Sequence, residues 1–577
     1  MVIVYKNKTL ERLLILANTI VTVVVILAAL AQLGFYQPIL PHSTLLIILT
    51  ASVAMFVTEK ITRFFNSLSK KDFFKTRWYE ILFVTSLVVL FIYAGAVIAM
   101  SVYLLLQIIT KICRSLVNLA ASGRNPARAL IGSFLILIIC GTVLLMLPRS
   151  YTLAPVSFVD ALFTATSASC VTGLVVKDTG TDFTLVGQTV IVVLIQLGGL
   201  GIVIFGAVFA LMLGQALSVR QSVAMQNLLN AQTMGRISNL IAFIFVVTMI
   251  IEALGAVALF NMWEKTQKLP PHIQHKWFCS IFHSISAFCN AGFGLFSDSL
   301  TSYKNDWRIN SIIAPLIILG GLGFGVIYNL ANVISDRIKN ALTVKTKKNL
   351  HKAPAVGLRL QTKIVLSTSL ILIVAGAVLL LISQKNTSHQ SINLSDAFFQ
   401  SISARTAGFN SIDIKALSGL SKSVLMILMF IGGSPGSTAG GIKTVTLVVI
   451  IMAVYATIRK RSEVEVFKRS IPMVTVGKAL TIILLFAVVL LSATFLLSIT
   501  ERKNNFDESD IVFEVSSALG TVGLSCGITG QLSTPGKIII IITMLIGRLG
   551  PLTMLALLTF NITPAKFNYP TEAVVVG

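Results

Sequence analysis

Four short stretches of the chain share a pattern that could bind an ion. Each has an aromatic residue, a Ser/Ala-rich segment and then a glycine followed by Leu or Phe. The glycines are Gly173, Gly292, Gly408 and Gly523, at intervals of 119, 116 and 115 residues. Backbone carbonyls in a ring can replace the hydration shell of a monovalent cation, and glycine permits the conformations that turn carbonyls inward. The regular spacing predicts a fourfold internal repeat.

A second stretch with unusual chemistry is the loop GGSPGSTAGGIKT at residues 432–444, which interrupts an otherwise apolar run. Its glycines and Pro435 prevent a continuous helix, while Ser434, Ser437 and Thr438 can satisfy freed backbone groups or face water. The alternative is a simple helix kink, for which two or three residues would suffice. A phosphate-binding loop is excluded because the required GK[ST] is absent.

Composition indicates the elements that must hold these stretches. The chain has 577 residues, of which 55% are hydrophobic and 12% charged, and its mean hydropathy is +0.88, so we expect an integral membrane protein. A span needs about 20 apolar residues, and no alternation of the β-barrel type is present. The first run is expected to be a retained span rather than a signal peptide. The candidate helices are 12–34, 43–58, 79–105, 129–148, 188–213, 237–262, 310–333, 363–383, 417–458, 475–499 and 536–560.

Each glycine-bearing stretch lies between two spans and is too short and polar to cross a bilayer itself. The repeating unit is therefore a span, a half-helix with a loop, and a second span. Glycine clusters in the second spans would let helices approach closely. Non-helical backbone at membrane depth must be buried or line water, so we expect the four loops to meet on one axis. For any single copy, the alternative is a re-entrant turn without a transport role.

The charge distribution predicts the orientation. The net charge is +24, but it is concentrated: residues 334–363 carry eight basic side chains and one acidic one, and residues 459–478 carry six and two. Residues 500–514 carry five acidic side chains and two basic ones. The positive-inside rule places the first two segments in the cytoplasm and the third outside, so no nucleic-acid partner is needed to explain the charge. Three tryptophans are expected in an outer interfacial belt: Trp263, Trp277 and Trp307.

Two further features bound the interpretation. The six cysteines show no CxxC or metal-ligand spacing and are expected to be packing residues. Before about residue 120 there are three hydrophobic runs, yet the basic stretches 60–77 and 111–128 both suit the cytoplasm. Three spans cannot satisfy both, so either 45–57 is interfacial or the long run from Ile81 is unusual.

The motifs TSASCVTGL, CNAGF, RTAGFNS and GTVGLS, with NPAR at Asn125, resemble the Trk/Ktr/HKT superfamily of cation transporters, specifically bacterial membrane subunits of the TrkH and KtrB type. The resemblance covers roughly residues 125–560. It implies an all-α polytopic membrane protein with four membrane-pore-membrane repeats around one ion pore and extra N-terminal transmembrane helices. The implied division is 1–120 for the extra segments, 121–220, 221–345, 346–465 and 466–560 for the repeats, and 561–577 for a cytoplasmic tail.

The resemblance also implies an ion filter with one strand from each repeat. Relatives that favour sodium replace the first filter glycine by serine, whereas Gly173 and its three counterparts are intact here. Potassium is therefore the expected transported and filter-bound ion. The implied filter residues are Val171, Thr172, Gly173, Asn290, Ala291, Gly292, Thr406, Ala407, Gly408, Thr521, Val522 and Gly523.

In the same family an intramembrane gating loop interrupts the third repeat just below the filter, at the position of residues 432–444. A lone arginine at a helix centre costs about 2.5–3.5 kcal/mol on insertion scales, so Arg548 should face protein or water; the resemblance implies a barrier beside the loop, and the alternative is snorkelling to an interface. The implied gate residues are Gly432, Gly433, Ser434, Pro435, Gly436, Ser437, Thr438, Gly440, Gly441, Lys443 and Arg548.

Three other charged residues lie near the predicted filter. Arg405 directly precedes its strand and is expected to brace the pore helix rather than to touch ions. Asp160 and Asp396 open two pore helices, where a carboxylate suits the helix dipole. They are expected to be caps, with attraction of cations at the mouth as the alternative.

The resemblance further implies partners and a location. We expect a homodimer in the lipid bilayer of the bacterial inner membrane, gated by a cytoplasmic ring of nucleotide-binding subunits of the TrkA/KtrA type, since this chain has no nucleotide site of its own. The basic loop 337–359 and the tail after Phe560 are candidate docking surfaces, although such charge runs more often only mark topology.

Three interpretations of the function remain open. The leading one is gated, potassium-selective uptake. A sodium-permeable or sodium-coupled transporter is the alternative within transport, and a non-conducting membrane sensor or scaffold is the alternative outside it. An intramembrane enzyme is disfavoured, because no Ser/His, paired Asp or HExxH constellation is present.

Overall fold

The fold is known from a computed structural model of the chain. It describes residues 6–71, 73, 78–122, 126–152, 154–201, 204–205, 207–208, 211, 237–263, 275–304, 307–344, 357–384, 392–550 and 553. The NPAR entry at Asn125, most of the basic loop 337–359 and the tail after Phe560 lie wholly or partly outside these residues. The predicted domain boundaries therefore stay predictions.

Nearly all regular structure in the described residues is helical, which confirms the predicted all-α polytopic class. Five helices are long and apolar enough to cross a membrane, and a sixth span forms if one bent pair is counted together. The helices are α1 Lys8–Leu33, α2 His42–Asn66, α3 Tyr79–Ala94, α4 Ala96–Ser122, α5 Pro126–Leu145, α6 Phe158–Ser169, α7 Leu185–Leu200, α8 Ile237–Phe260, α9 Lys276–Phe288, α10 Trp307–Leu322, α11 Phe324–Val344, α12 Leu360–Gln384, α13 Leu394–Ser403, α14 Gly419–Phe430, α15 Thr444–Ile458, α16 Met473–Thr500, α17 Glu508–Gly520 and α18 Thr534–Leu549.

The N-terminal run at 79–105 is not one span. It breaks at Gly95, whose φ of +88° is a conformation that glycine adopts freely. Helices α3 and α4 then fold back on each other, since Gln107 Nε2 donates to Glu80 Oε2 at 2.9 Å across 27 residues of chain. The end of α2 and the start of α3, which flank 60–77, consequently lie on the same side of the bundle as the end of α4, which belongs to 111–128. Of the two explanations open from sequence, the unusual long run is the correct one.

A network of ion pairs joins this N-terminal bundle near its inner end. Arg63 contacts Glu59 at 2.8 Å and Glu11 at 3.0 Å, and Lys60 contacts Glu80 at 2.6 Å. Buried charges are stable only when they are paired. The network therefore fixes α1, α2 and α3 to one another where hydrocarbon alone gives little specificity.

Four units of the same design follow the N-terminal bundle. Each has a first helix (α5, α8, α12 or α16), a short helix (α6, α9, α13 or α17) and a second helix (α7, α10, α14 or α18). The short helices have 12, 13, 10 and 13 residues, so at 1.5 Å per residue they span only about 15–20 Å. They cannot cross the membrane, as the sequence predicted.

The second helices are shorter than their hydrophobic runs. Three of them end at a glycine with positive φ: Gly201 at +83°, Gly323 at +90° and Gly550 at +82°. At Gly323 the chain turns by 101° into α11. The predicted continuous span 310–333 is thus broken, and the helices of 188–213 and 536–560 end at Gly201 and Gly550, because hydropathy does not register a glycine break; most residues beyond these two glycines lie outside the described part of the chain. The third unit is interrupted at the same level by the predicted loop.

Two smaller predictions also have outcomes. Trp263 is fully buried and donates Nε1–H to Ser280 Oγ at 2.9 Å, so it is a core residue and not part of an interfacial belt. Trp277 and Trp307 are exposed, as a belt requires. After α15 a two-stranded antiparallel hairpin, β1 Val464–Val466 and β2 Arg469–Ile471, extends that helix on the predicted cytoplasmic side.

Candidate functional site: a glycine ring above an intramembrane loop

The four repeat glycines meet and close a ring, which we call the glycine ring: Gly173, Gly292, Gly408 and Gly523. A Cβ built on each one would lie 3.0–3.2 Å from the Cα of the glycine in the next unit, and the fourth returns to the first. Their φ values are +93°, +70°, +77° and +93°. Both the close approach and the positive φ require glycine at each position.

The residue two positions before each ring glycine is also left-handed. Val171, Asn290, Thr406 and Thr521 have φ between +49° and +75°. Non-glycine residues take this conformation only where surrounding structure enforces it. The same local geometry occurs in all four units, so each strand presents its backbone to the axis in the same way.

Serines at the end of each short helix hold these strands. Ser167 and Ser517 Oγ accept the N–H of Gly173 and Gly523 at 3.1 and 3.0 Å. Ser286 and Ser403 Oγ instead donate to the carbonyls of Phe293 and Phe409, at 2.7 and 2.6 Å. The Ser/Ala-rich segments seen in the sequence thus fix the strands that follow them.

The third unit differs in length. Ser167, Ser286 and Ser517 precede their ring glycines by six residues, whereas Ser403 precedes Gly408 by five. In keeping with this, the Ser403 carbonyl accepts two N–H groups, from Ala407 at 2.9 Å and Gly408 at 3.3 Å. The third strand is therefore entered by a tighter turn than the others.

The glycine clusters of the second helices lie against the ends of the short helices. A Cβ on Gly198, Gly320 or Gly547 would collide with the carbonyl of Ser169, Phe288 or Leu519. The predicted role of small residues, close approach of helices, is therefore found at the last turn of the short helices. Their carbonyl ends, which carry partial negative charge, are held against the ring.

The intramembrane loop, residues 432–443, lies directly beneath this ring. Its two ends are adjacent, because Gly432 N–H donates to the Ile442 carbonyl at 2.9 Å. Ser434 and Thr438 donate their N–H groups to the Gly321 and Gly320 carbonyls at 3.0 and 3.3 Å. This is a structured, closed loop and not a kink.

Side chains of the loop satisfy backbone groups, as predicted for a break at membrane depth. Ser437 Oγ donates to the Ser434 carbonyl at 2.7 Å, and Thr438 Oγ1 donates to the Phe288 carbonyl at 3.3 Å. Gly440 lies against Gly520 and Thr521 at the end of α17. The loop thus contacts the second and fourth units immediately below the ring.

Two cationic side chains hold three successive loop carbonyls. Lys443 Nζ donates to Ala439 O at 2.7 Å and Gly440 O at 3.2 Å. Arg548 Nη1 donates to Thr438 O, and its Nη2 donates to Gly198 O at 2.5 Å and Gly199 O at 3.1 Å. Among the described residues, no carboxylate lies within ion-pair distance of either cation. Two basic side chains without a carboxylate partner among the described residues therefore lie below the ring, and Arg548 contacts protein rather than snorkelling.

Arg405 lies beside the third short helix. Its guanidinium donates to the Ser369 carbonyl and hydroxyl at 3.5 and 3.3 Å, which fits the predicted bracing role. Ser157, not Asp160, caps α6 through its side chain, accepting the Asp160 N–H at 3.1 Å. The predicted capping role of Asp160 is thus filled by a neighbour.

The aspartates instead form ion pairs between neighbouring units at the outer face. In three short helices, an aspartate of the first turn faces a lysine that lies in or just before the first turn of a second helix in the preceding unit, with the fourth unit preceding the first. The pairs are Asp160–Lys537 at 2.7 Å, Asp510–Lys422 at 2.9 Å and Asp396–Lys304 at 3.9 Å. At the boundary between the first and second units the corresponding residues are Gln188 and Cys279.

Above the ring an open cavity of about 490 Å³ leads outward. It is lined by all four ring glycines and by three aspartates, Asp178, Asp298 and Asp413, and its lining contains no lysine or arginine. A cavity lined by one sign of charge concentrates ions of the opposite sign. A cation approaching from this side would therefore reach the ring through a favourable potential.

Sequence reasoning missed Lys304, Lys422, Lys537 and the buried Glu514. The signal was available: aligning the four units on their glycines places a first-turn acid in three short helices and a polar residue one turn later in all four.

The fold and ring define an all-α, polytopic membrane protein in which four re-entrant segments share one axis. A family model described as a cation transport protein, TrkH, matches residues 108–569. This chain belongs to that family, which is one of transporters and not of enzymes.

Uptake proteins from three bacteria are similar to this chain. The Ktr system potassium uptake protein B of Vibrio alginolyticus is 40% identical over 463 residues, which cover 79% of this chain and 96% of that protein. Its counterpart in Bacillus subtilis is 39% identical, covering 78% and 97%. The potassium/sodium uptake protein NtpJ of Enterococcus hirae is 35% identical, with the same coverage.

Among solved structures, the crystal structure of the potassium transporter TrkH from Vibrio parahaemolyticus has the same fold. Its TM-score is 0.58 at 19% sequence identity, with 84% of this chain and 96% of that chain covered. The resemblance to this family that the sequence motifs indicated is confirmed by the family model and by the similar uptake proteins.

Proposed function

We propose that this chain takes up potassium across the bacterial inner membrane through a filter built on the glycine ring. The observation that carries the proposal is the closure of four left-handed, glycine-centred strands around one axis. Such strands can surround a dehydrated ion with carbonyl oxygens. The filter residues are those at 171–173, 290–292, 406–408 and 521–523, one set from each unit.

The proposed gate is the 432–443 loop with Lys443 and Arg548. The loop lies under the ring and is held closed by hydrogen bonds from both cations to its carbonyls. A positive charge on the exit side of a cation path, such as that of Arg548, raises the energy barrier for cations. Opening requires these contacts to break, so conduction depends on whatever stabilises the open loop.

That stabilising agent is proposed to be a cytoplasmic ring of nucleotide-binding subunits below a homodimer of this chain. Support for it is the family to which the chain belongs and the basic character of the segment 337–359. The segment and the tail after Phe560 are the proposed docking surfaces.

A second candidate is passage of sodium, either through the filter or coupled to potassium. One relative, NtpJ, is named a potassium/sodium uptake protein. The intact ring glycine at position 173 favours potassium for the filter itself, so sodium is proposed only as the alternative.

The test is cation flux into liposomes that contain the purified full chain, comparing potassium, rubidium and sodium under an imposed potential. Potassium and rubidium entry with little sodium entry supports the proposal. Equal sodium entry supports the second candidate. If no ion enters, even from a variant with the loop shortened, the chain is the non-conducting sensor or scaffold and the proposal fails.

A further inference from the structure

A buried polar residue lies behind the filter strand in each unit. Thr164, His283 and Glu514 precede their ring glycines by nine residues, and Gln400 precedes its glycine by eight because the third unit is one residue shorter. All four side chains are at most 1% exposed. The position is structurally equivalent in the four units, but its chemistry is different in each.

Only in the fourth unit is this residue a carboxylic acid, and its hydrogen bonds reach residues that line the outer cavity. Glu514 accepts hydrogen bonds from Ser525 Oγ on Oε1 and from Thr529 Oγ1 on Oε2, the latter at 3.0 Å. Ser525 and Thr529 both line the cavity above the ring, beside Gly523. Among the described residues, no lysine or arginine nitrogen lies within ion-pair distance of Glu514.

The direction of these hydrogen bonds matters. Because a carboxylate only accepts, both hydroxyl protons point back toward Glu514. Ser525 Oγ also accepts the Gly527 N–H at 2.8 Å, and it lies 3.0 Å from Thr529 Oγ1. The remaining lone pairs of the two hydroxyl oxygens are therefore turned away from the carboxylate, and the oxygens are polarised by its charge.

The equivalent residues of the other three units make different contacts. His283 Nε2 accepts the Leu295 N–H at 3.4 Å, which holds the backbone above the second strand. Thr164 donates only to the Asp160 carbonyl of its own helix, at 2.9 Å. Neither amide atom of Gln400 has a partner among the described residues.

We propose that Glu514 is a positioning residue for cation entry: it orients the Ser525 and Thr529 hydroxyls so that their oxygens form a resting site for a monovalent cation just outside the glycine ring. The site lies off the axis, on the fourth unit, and takes a partly hydrated potassium ion before it enters the filter. This inference rests on the proposed function, because it assumes that cations enter from this cavity.

The experiment compares Glu514→Gln, Ser525→Ala and the double variant in potassium flux into liposomes. Glutamine has nearly the same shape, but it removes the charge and replaces one acceptor by a donor. We expect KM for external potassium to rise roughly tenfold in each single variant, while the maximal rate changes by less than about twofold. The KM of the double variant should be no higher than that of either single variant, because the two residues act together at one site.

Thr164→Val is the matched control. It alters the equivalent buried position of the first unit, where the side chain contacts only its own helix, and KM should stay at the wild-type value. If Glu514→Gln lowers the maximal rate or the yield with KM unchanged, the residue is merely structural and the inference is wrong. A normal KM in Ser525→Ala overturns it as well, and that variant tests the inference even if Glu514→Gln does not fold.

A binding readout separates this inference from the proposed function. The thermal unfolding midpoint of the purified full chain is measured against potassium concentration, with N-methyl-D-glucamine as the balancing cation, since a bound ion raises the midpoint. Absence of flux both in the wild-type chain and in the variant with the shortened loop would overturn the proposed function. Unchanged apparent potassium affinity in Glu514→Gln and Ser525→Ala would overturn the inference alone.

Discussion

At each ring glycine, the atoms that exclude a side chain are backbone atoms of the next unit. The Cβ of a larger residue at position 173 would meet the Ala291 carbonyl and the Cα of Gly292, neither of which can rotate away. A substitution here therefore displaces a neighbouring strand as well as its own. The geometry of the ring is therefore set by backbone contacts between neighbouring units.

Gly173→Ser should lower the preference for potassium over sodium by roughly tenfold or more. The added Cβ must push the second strand outward, and at φ +93° it is also strained. The measurement is the ratio of potassium to sodium flux into liposomes.

Gly132→Ser serves as the control for that substitution. Gly132 lies in α5, where a Cβ would meet nothing within 4 Å, so the flux ratio should not change. A Gly173→Ser variant with full potassium preference would count against the filter.

Arg548→Gln should raise open probability roughly tenfold, because it removes three hydrogen bonds from a charged donor that join the loop to the first unit. Single-channel recording of the reconstituted chain measures this. Arg502→Gln, an exposed outer residue, is the control. Unchanged conductance and open probability in Arg548→Gln would contradict the barrier.

Residue identities at the ring were predictable because glycine has few other reasons to recur at a constant interval. Glu514 and the outer lysines were not predicted, since a single charged residue beside a span also fits a topological signal. What distinguishes them is the partner across a unit boundary, such as Asp160 for Lys537, which is 377 residues away in the chain.

At the scale of elements, three ion pairs connect the short helix of one unit to the second helix of its neighbour. Each is half-buried, so the charges are screened less than those of an exposed pair. They hold the short helices at a fixed height around the ring. At the boundary between the first and second units, where Gln188 and Cys279 hold the corresponding sequence positions, the described residues form no such pair.

A double-mutant cycle on Asp160→Asn and Lys537→Met should give a coupling energy of about 1 kcal/mol in the free energy of unfolding. The exposed pair Arg461–Glu465, at 51% and 53% exposure, should give only about 0.3 kcal/mol. Thermal unfolding in detergent measures both cycles. Equal coupling in the two pairs would show that the outer ion pairs do not fasten the units.

The α3–α4 hairpin makes a topological prediction. In a chain without its native cysteines, Ser69→Cys and Ser122→Cys should both react with a membrane-impermeant thiol reagent from the cytoplasmic side, because the chain folds back at Gly95. Gln37→Cys, in the loop between α1 and α2, should react only from the outside. Labelling of Ser69→Cys and Ser122→Cys from opposite sides would contradict the hairpin.

Helices whose ends are set by the length of a hydrophobic run were predicted well, whereas helices that end at a single glycine were predicted poorly. Hydropathy placed the first helix of every unit, but it extended three second helices past Gly201, Gly323 and Gly550. Those breaks depend on a backbone conformation, which a sum of apolar residues does not record. The 432–444 loop was predicted because it is long enough to interrupt the hydropathy itself.

At the scale of the whole molecule, the intramembrane loop can be shortened without separating the two helices that it joins. Since Gly432 N–H contacts the Ile442 carbonyl, residues 433–441 can be replaced by a short linker. We expect potassium flux through the full chain to rise and to lose its dependence on any cytoplasmic partner. The measurement is liposome flux with and without that partner, and a drop in flux would show that the loop supports the pore instead of closing it.

The last unit completes the structure of the first. Gly523 lies against Gly173, Lys537 pairs with Asp160, and Arg548 reaches the Gly198 carbonyl across 350 residues. During synthesis, the first three units can insert one after another, but they leave an open arc until the ribosome has passed residue 548. A chain that ends before the fourth unit therefore lacks the glycine that closes the ring and the arginine that ties the loop to the first unit.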